Sequence, residues 1–171
     1  MIFVRTAREA EVAFLSAVGL RAWEQAVLGL ADVGRMRGVA EQAFLSFLRT
    51  HWSATSVIEH DGTPVGWAAC EDRDGAISDL WIDPGVQGAG IGSRLLEHME
   101  AEIVRAGFDF ATTKTHAQNA RAIGFFKKHG YSVNWLSTTY SAKLDRDVES
   151  VGLTKRLTVD ELTGYGPGML V

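Results

Sequence analysis

Three glycines at alternate positions, Gly88, Gly90 and Gly92, stand between an apolar run that meets Pro84 and a stretch with helical periodicity. Glycine has no Cβ, so such a loop can approach a ligand closely and turn successive backbone N–H groups to one side. A helix opening at that loop adds its unbonded N–H groups and the positive end of its dipole. The combination is a seat for a pyrophosphate. The stretch 80–93, Leu-Trp-Ile-Asp-Pro-Gly-Val-Gln-Gly-Ala-Gly-Ile-Gly-Ser, lacks the Gly-Lys-Ser/Thr ending of a Walker-type loop. It also lacks the Gly-x-Gly-x-x-Gly spacing of a dinucleotide fold.

The surrounding elements must place this loop at the end of a strand. Residues 2–4 read as a short strand. An amphipathic helix begins at Thr6 and stops near Gly19. Residues 23–30 can extend it until Gly34 and Gly38 interrupt, and residues 39–52 resume with Phe44, Leu45, Phe47 and Leu48 on a helical period. Residues 56–82 read as an antiparallel meander with turns at Asp61-Gly62 and Asp74-Gly75. A helix over 91–106 buries Leu95, Leu96, Met99 and Ile103, turns Arg94, Glu97, Glu100, Glu102 and Arg105 to water, and caps at Gly107. A strand over 108–115 leads to a helix capped by Asn119 and ended by Gly130. Residues 131–135 and 139–144 are two further strands. This gives one domain over 1–145. Residues 146–171 form an extension, either a further strand or a mobile tail, with 151–159 a strand or short helix and 164–168 irregular.

The chain has 171 residues, 46% of them hydrophobic, and a formal net charge of −4, which suits one soluble domain rather than a nucleic-acid binder with a basic face. The single cysteine, Cys70, lies in an apolar run and reads as an inert buried thiol; no zinc-type Cys/His cluster exists, so no metal is expected. No segment reaches the ~18 apolar residues of a membrane helix and no leader is evident, so the expected location is cytoplasmic, with no membrane partner.

Gln87-x-x-Gly90-x-Gly92, preceded by Leu80-x-Ile82-x-Pro84, resembles the acetyl-CoA loop of the GNAT N-acetyltransferase superfamily. Downstream, Asn119-x-x-Ala122-x-x-Phe125-Phe126-x-x-x-Gly130-Tyr131 resembles that family's next helix, which runs along the pantetheine arm. The resemblance covers roughly residues 2–144 and is specific over 77–131. It implies an α/β (α+β) fold: a mixed, mostly antiparallel central sheet with helices on both faces and a splayed strand pair at the cofactor site. The implied cofactor is acetyl-CoA. Its arm would pair with the backbone of Leu80, Trp81 and Ile82. Its pyrophosphate would rest on the N–H groups of Gln87, Gly88, Ala89, Gly90, Ile91 and Gly92, with Ser93 and Arg94 nearby. Asn119 would reach the pantetheine or the acyl end while also capping its helix, and Ala122, Phe125 and Phe126 would line the arm.

The implied reaction is direct attack of a neutral amine on the thioester, the donor being acetyl-CoA and the acceptor a small-molecule or peptide amine. A backbone N–H of Trp81 or its neighbour would polarise the carbonyl. Asp79 is the first candidate for the base, then Glu71 and His116; each also reads as an ordinary surface or salt-bridge charge. The chain departs from the family at Phe126, where many members carry a tyrosine that protonates the leaving thiolate. Water or another side chain takes that role, Tyr131, Tyr140 and Ser141 being candidates; or the thiolate leaves unprotonated; or the protein is a CoA-binding sensor or regulatory module without efficient turnover. Seven carboxylates against Arg73 over 59–83 favour a cationic acceptor, whereas 84–130 carries a small basic excess suited to an anionic cofactor. Trp23, Phe44, Phe47 and Trp52 divide between core and acceptor pocket, and a homodimer is expected from the family.

Overall fold

The computed structural model describes residues 1–29 and 32–157. Within them the chain runs β1 (Ile2–Thr6), α1 (Val12–Ala26), α2 (Val33–His51), β2 (Thr55–His60), β3 (Thr63–Ala69), β4 (Asp79–Ile82), α3 (Ile91–Arg105), β5 (Phe110–His116), α4 (Ala120–Lys128), β6 (Ser132–Ser141) and β7 (Arg146–Arg156). The strands form two antiparallel ladders, β1-β2-β3-β4 and β5-β7-β6. A parallel bridge between Ala76 and Thr112 joins them. There Ile77 N–H donates to the Thr112 carbonyl at 2.7 Å and Thr112 N–H to the Gly75 carbonyl at 2.8 Å. A side chain at Gly75 would collide with the Phe110 carbonyl, so glycine is what allows this crossing.

Helices cover both faces. On one, Leu15, Val18 and Trp23 of α1 and Phe44 and Leu48 of α2 close over Val57 and Trp67. On the other, Leu95, Leu96, Met99 and Ile103 of α3 and Phe126 of α4 close over Ile58, Ala111 and Leu153. Arg5, held by Glu11 and Glu59, ties the first strand to both its neighbour and the entry to α1.

Glycine misleads as a helix stop in this chain. α1 runs through Gly19 to Ala26, because a methyl group at Gly19 would come within 2.9 Å of Phe44 Cε1 and 3.1 Å of Trp67 Cζ2. The residue marks close approach of a neighbour, not an end. α2 passes through both Gly34 and Gly38. Each costs about 1 kcal/mol against alanine, offset by the Asp32 cap on Arg35 N–H at 3.3 Å and by the buried stripe Ala40, Phe44, Leu48. The third meander strand is shorter than 76–82, because Ser78 is the last residue before the regular ladder and Ala76 bonds across to β5.

Three further differences lie downstream. Residues 131–144 do not hold two strands: β6 is continuous, with a bulge between Val133 and Trp135. β7 is the middle strand of the second ladder, so the chain is built into the sheet through Arg156 rather than leaving it at 145. Glu100 is buried on α3, not wetted. It accepts from Tyr131 Oη at 2.8 Å and Lys155 Nζ at 3.2 Å, partners that arrive from distant sequence. Residues 30, 31 and 158–171, including the irregular stretch expected at 164–168, lie outside the described residues.

Candidate active site

β4 and β5 separate beyond Ile77 and Thr112, and ladder parity determines which backbone groups face the opening. In an antiparallel pair, opposed residues alternate between bonded and non-bonded. Asp83 N–H donates to the Val65 carbonyl at 2.8 Å. With Trp67 opposite Trp81, the Trp81 backbone therefore also turns toward β3. Leu80 and Ile82 turn theirs into the gap. Across it, Ala117 N–H donates to the Glu149 carbonyl at 3.0 Å, so Thr115 faces β7 while Lys114 and His116 face the gap. The Ile82 carbonyl takes Gln87 Nε2 at 3.1 Å, and the His116 carbonyl takes Asn119 N–H at 3.0 Å. Among the described residues, the N–H groups of Leu80 and Ile82 have no ladder partner. Trp81, the first candidate donor for the thioester oxygen, is thus replaced in that geometry by its neighbours.

A cavity of about 430 Å³ opens at this gap, within the usual range for a small-molecule site. Leu80, Trp81, Ile82, Gln87 and Gly92 form one wall, and Asn119, Ala122, Phe125 and Phe126 another. A third wall, which no motif in the sequence announces, is Ala22, Gln25, Ala26 and Leu28 at the end of α1, together with Arg121. Its only trace in the sequence is the pair of alanines one helical turn apart, which leave room where larger side chains would fill it. The other loop residues sit around the rim. Gly88, Ala89 and Gly90 lie near the surface, Arg94 is exposed on the first turn of α3, and the Ile91 side chain is core. Ser93 Oγ lies 2.9 Å from His129 Nε2, which ties α3 to the end of α4.

Several features fit a pyrophosphate ligand with a slender amide-bearing arm. Gly88 and Gly90 have φ of 90° and 77°, the left-handed region that glycine enters without strain. Gly90 caps α3 without any side-chain hydrogen bond, and no acidic residue stands in that helix's first turn. The Oε1 of Gln87 is buried with no partner among the described residues, an acceptor open to a donor from a ligand. A methyl at Gly92 would press within 3.4 Å of the Phe125 ring. Arg21 Nη2 holds Asp83 Oδ2 at 2.7 Å, so α1 braces the base of the loop.

Among the base candidates, Asp79 is the most enclosed. Burial pushes its carboxyl above the usual carboxylate range, against the pull of the Lys143 charge and of hydrogen bonds from Trp81 and Ser78. Its Oδ1 accepts from Trp81 Nε1 at 2.9 Å. Strand alternation puts Asp79 and Trp81 on the α2 side, where Trp81 meets Phe44 edge-on at 5.2 Å. His116 lies on the same side of β5; burial first, then the charges of Lys143 and Arg146, hold its pKa below the ordinary histidine value. Glu71 stands apart in the turn after β3, its side chain 49% exposed and 3.6 Å from His51 Nε2.

The candidate proton donors for the thiolate lie elsewhere. Tyr131 Oη is bound to buried Glu100, and burial with that carboxylate drives its pKa up, out of reach of acid chemistry. Tyr140 is exposed and bonded to Asp145, and Ser141 Oγ accepts from Leu144 N–H. Asn119 caps α4 by accepting from Ala122 N–H at 3.1 Å, while its Nδ2 faces Thr115 Oγ1 at 3.4 Å, a long bond that a ligand can replace. Cys70 is half-buried, and desolvation raises its thiol to about 11, so it is inert at neutral pH.

A model of the acetyltransferase (GNAT) family matches residues 22–131. The peptidyl-lysine N-acetyltransferase YjaB of Salmonella typhimurium is 33% identical over 135 residues, spanning 78% of this chain and 85% of its own. Among solved structures, the PaiA N-acetyltransferase of Thermoplasma acidophilum in complex with coenzyme A superimposes with a TM-score of 0.78 at 17% identity, covering 91% of this chain and 99% of that one. Apo YjaB of Escherichia coli superimposes with a TM-score of 0.73 at 27% identity, covering 92% and 99%.

The loop geometry makes a direct prediction. Gly90→Val forces a β-branched residue into the left-handed region, at a cost of about 1–2 kcal/mol, although nothing lies within 4 Å of the new Cβ. The variant should remain folded by circular dichroism and lose CoA binding by at least tenfold in calorimetric titration. Unchanged affinity would remove the loop from the cofactor site.

Proposed function

The chain belongs to the GNAT acetyltransferase family, and from that premise we propose how its own residues move an acetyl group from acetyl-CoA to a primary amine of a small molecule or peptide. The observation that carries the reading is the parted strand pair: unladdered N–H groups of Leu80 and Ile82 open toward the cavity, in line with the glycine loop at the start of α3. Acetyl-CoA supplies a thioester carbonyl for the amine to attack. The loop N–H groups from Gln87 to Gly92 hold the pyrophosphate, with Arg94 adding positive charge. Leu80 and Ile82 bind the arm, and one of their N–H groups polarises the carbonyl oxygen. Such a donor is worth about 100- to 1,000-fold in rate.

Asp79 takes the proton from the acceptor's ammonium. Its burial supports this, because a carboxylate with a raised pKa is a stronger base. His116, held neutral across the gap, passes that proton outward. Phe126 offers no proton, and the thiol leaves as thiolate, which its ordinary pKa of about 8.5 permits. The peptidyl-lysine name of the YjaB relative and the acidic meander both support a lysine-like acceptor. A cytoplasmic setting is supported by the lone protonated cysteine, which needs no oxidising compartment.

We also assign β6 as the contact of a homodimer. It is the outer strand of its ladder, and Leu136 and Tyr140 are 62% and 58% exposed. An outer strand that exposes large apolar side chains invites pairing with another copy.

Three variants test these assignments. Wild-type kcat/KM should climb with pH along a limb set above the ordinary carboxylate range, and Asp79→Asn should remove that limb and lower the rate at least 100-fold. The same variant should unfold at a higher temperature at pH 8. A raised folded-state pKa means the stability Asp79 contributes is complete below its unfolded value and lost as pH rises through the folded one. An unaltered pH profile removes Asp79 as the base. Phe126→Tyr should raise kcat several-fold at pH 7 and not above pH 9; a flat response shows that thiol departure is not limiting. Leu136→Glu should convert a dimer to a monomer in sedimentation velocity, and a wild-type monomer at micromolar concentration would sink the β6 assignment.

A further inference from the structure

Lys143 is the residue whose position the acetyl-transfer scheme leaves unexplained. It sits in the turn between β6 and β7, half-buried. That turn is held in place. Leu144 is 3% exposed and belongs to the α1/α2 core, its N–H reaches Ser141 Oγ, and Tyr140 Oη bonds Asp145. The Lys143 ammonium is directed inward, 4.8 Å from the centre of the Phe44 ring and 5.4 Å from that of Trp81. The two rings stand at 85° to one another and make two walls of a cage. Asp79, whose carboxylate fixes the Trp81 indole, carries the negative charge nearest to hand on β4, yet no carboxylate among the described residues comes within 4.0 Å of Lys143. The ammonium is held by ring faces and a field, not by a salt bridge. It therefore rests where a mobile cation can be exchanged for another.

Position gives this arrangement meaning. Trp81 is flanked by the two residues whose backbone opens to the cofactor cavity, and its ring is on the opposite side of β4 from α3. On that side the Phe44 and Trp81 rings, with Asp79 bonded to the indole, lie beneath the Lys143 ammonium. We propose that these three side chains form the ammonium subsite for an alkylammonium acceptor of lysine type, and that Lys143 fills it in the free protein as a built-in competitor. This rests on the acetyl-transfer reading above. A flexible unbranched stem explains the match, since Lys143 and a peptide lysine present the same four-carbon arm and the same charge to the same two rings. Cation–π attraction of about 0.5–2 kcal/mol corresponds to roughly 2- to 30-fold in affinity, enough for a tethered lysine to suppress a weak acceptor and too little to lock the site shut.

The test uses Nα-acetyl-lysine amide as the acceptor probe with Lys143→Met, which keeps the stem and removes the charge, and Lys143→Arg, which keeps a cation. Lys143→Met should lower KM for the probe about 3- to 30-fold, and Lys143→Arg should not. Phe44→Leu should raise KM for the probe more than for a neutral aromatic amine. The Trp81 indole N–H signal in the nitrogen–proton spectrum gives a readout independent of turnover. It should shift on adding the probe without cofactor, and at lower probe concentration in Lys143→Met. If thiol is released but KM is unchanged in Lys143→Met and the Trp81 signal ignores the probe, the subsite is overturned while acetyl transfer stands. If the signal responds as expected but no thiol is released with any amine, the transfer reading fails and the subsite survives.

Discussion

The parting of β4 from β5 is the constraint on which the rest depends. A buried strand edge cannot be left without hydrogen-bond partners at no cost. The two strands bond through Ile77 and Thr112 and then separate, each kept straight by its own ladder, β3 on one side and β7 on the other. The gap is therefore enforced by partners that do not touch it. A ligand entering it must offer donors and acceptors along its length and be thin enough to lie between strands, a description that an amide-bearing arm meets. The helix start at Gly90 and the cap at Asn119 stand at the mouth of the gap for the same reason. Each lies where a strand has lost its neighbour and the chain turns back to cover the sheet.

β4 has only four residues, yet it separates two environments. Leu80 and Ile82 pack with the α3 core, and Trp81 packs with the α2 core beside Phe44. A strand's alternation thus turns Leu80 and Ile82 to one core and Trp81 to the other, with the backbone as the wall between them. The helices differ accordingly. α3 opens at the Gly90 cap and α4 at the Asn119 cap. α1 and α2 present aromatic rings and small residues to whatever approaches from the opposite side, and the β6–β7 turn is pinned against them by Leu144.

The parts of the fold that are legible in the sequence are those where one residue type has one physical use. Gly88 and Gly90 have positive φ, Asp61-Gly62 turns a hairpin, and Asn119 caps a helix. Residues of the motif pair around them line the cavity at the parted strands. The illegible parts turn on long-range partners. Gly19 looks like a stop until Phe44 is seen against it, and Gly34 and Gly38 look like breaks until the α2 stripe is seen to be buried. Glu100 reads as a wetted charge because Tyr131 and Lys155 are distant in sequence. Trp81 reads as the carbonyl donor ahead of its neighbours because parity depends on a ladder bond between Asp83 and Val65, which composition cannot reveal. β7 is faint because its middle, 150–153, is buried on both faces yet includes Ser150 and Gly152, and charges flank it, so it shows neither clean alternation nor a continuous apolar run.

Asp79 gives the clearest sign that this architecture serves a purpose beyond folding. An ionised carboxylate at 7% exposure costs stability at neutral pH, since desolvation outweighs the help from Lys143 and the Trp81 bond. An asparagine of the same shape would accept the same indole hydrogen bond without the charge. Nothing in the packing of β4 requires a group that can lose a proton. Under the proposed transfer the carboxyl has a proton to receive, from an ammonium beside the same Trp81 that it orients. The fold tolerates the costliest charge on this strand because the two cores on either side are otherwise apolar and closely packed.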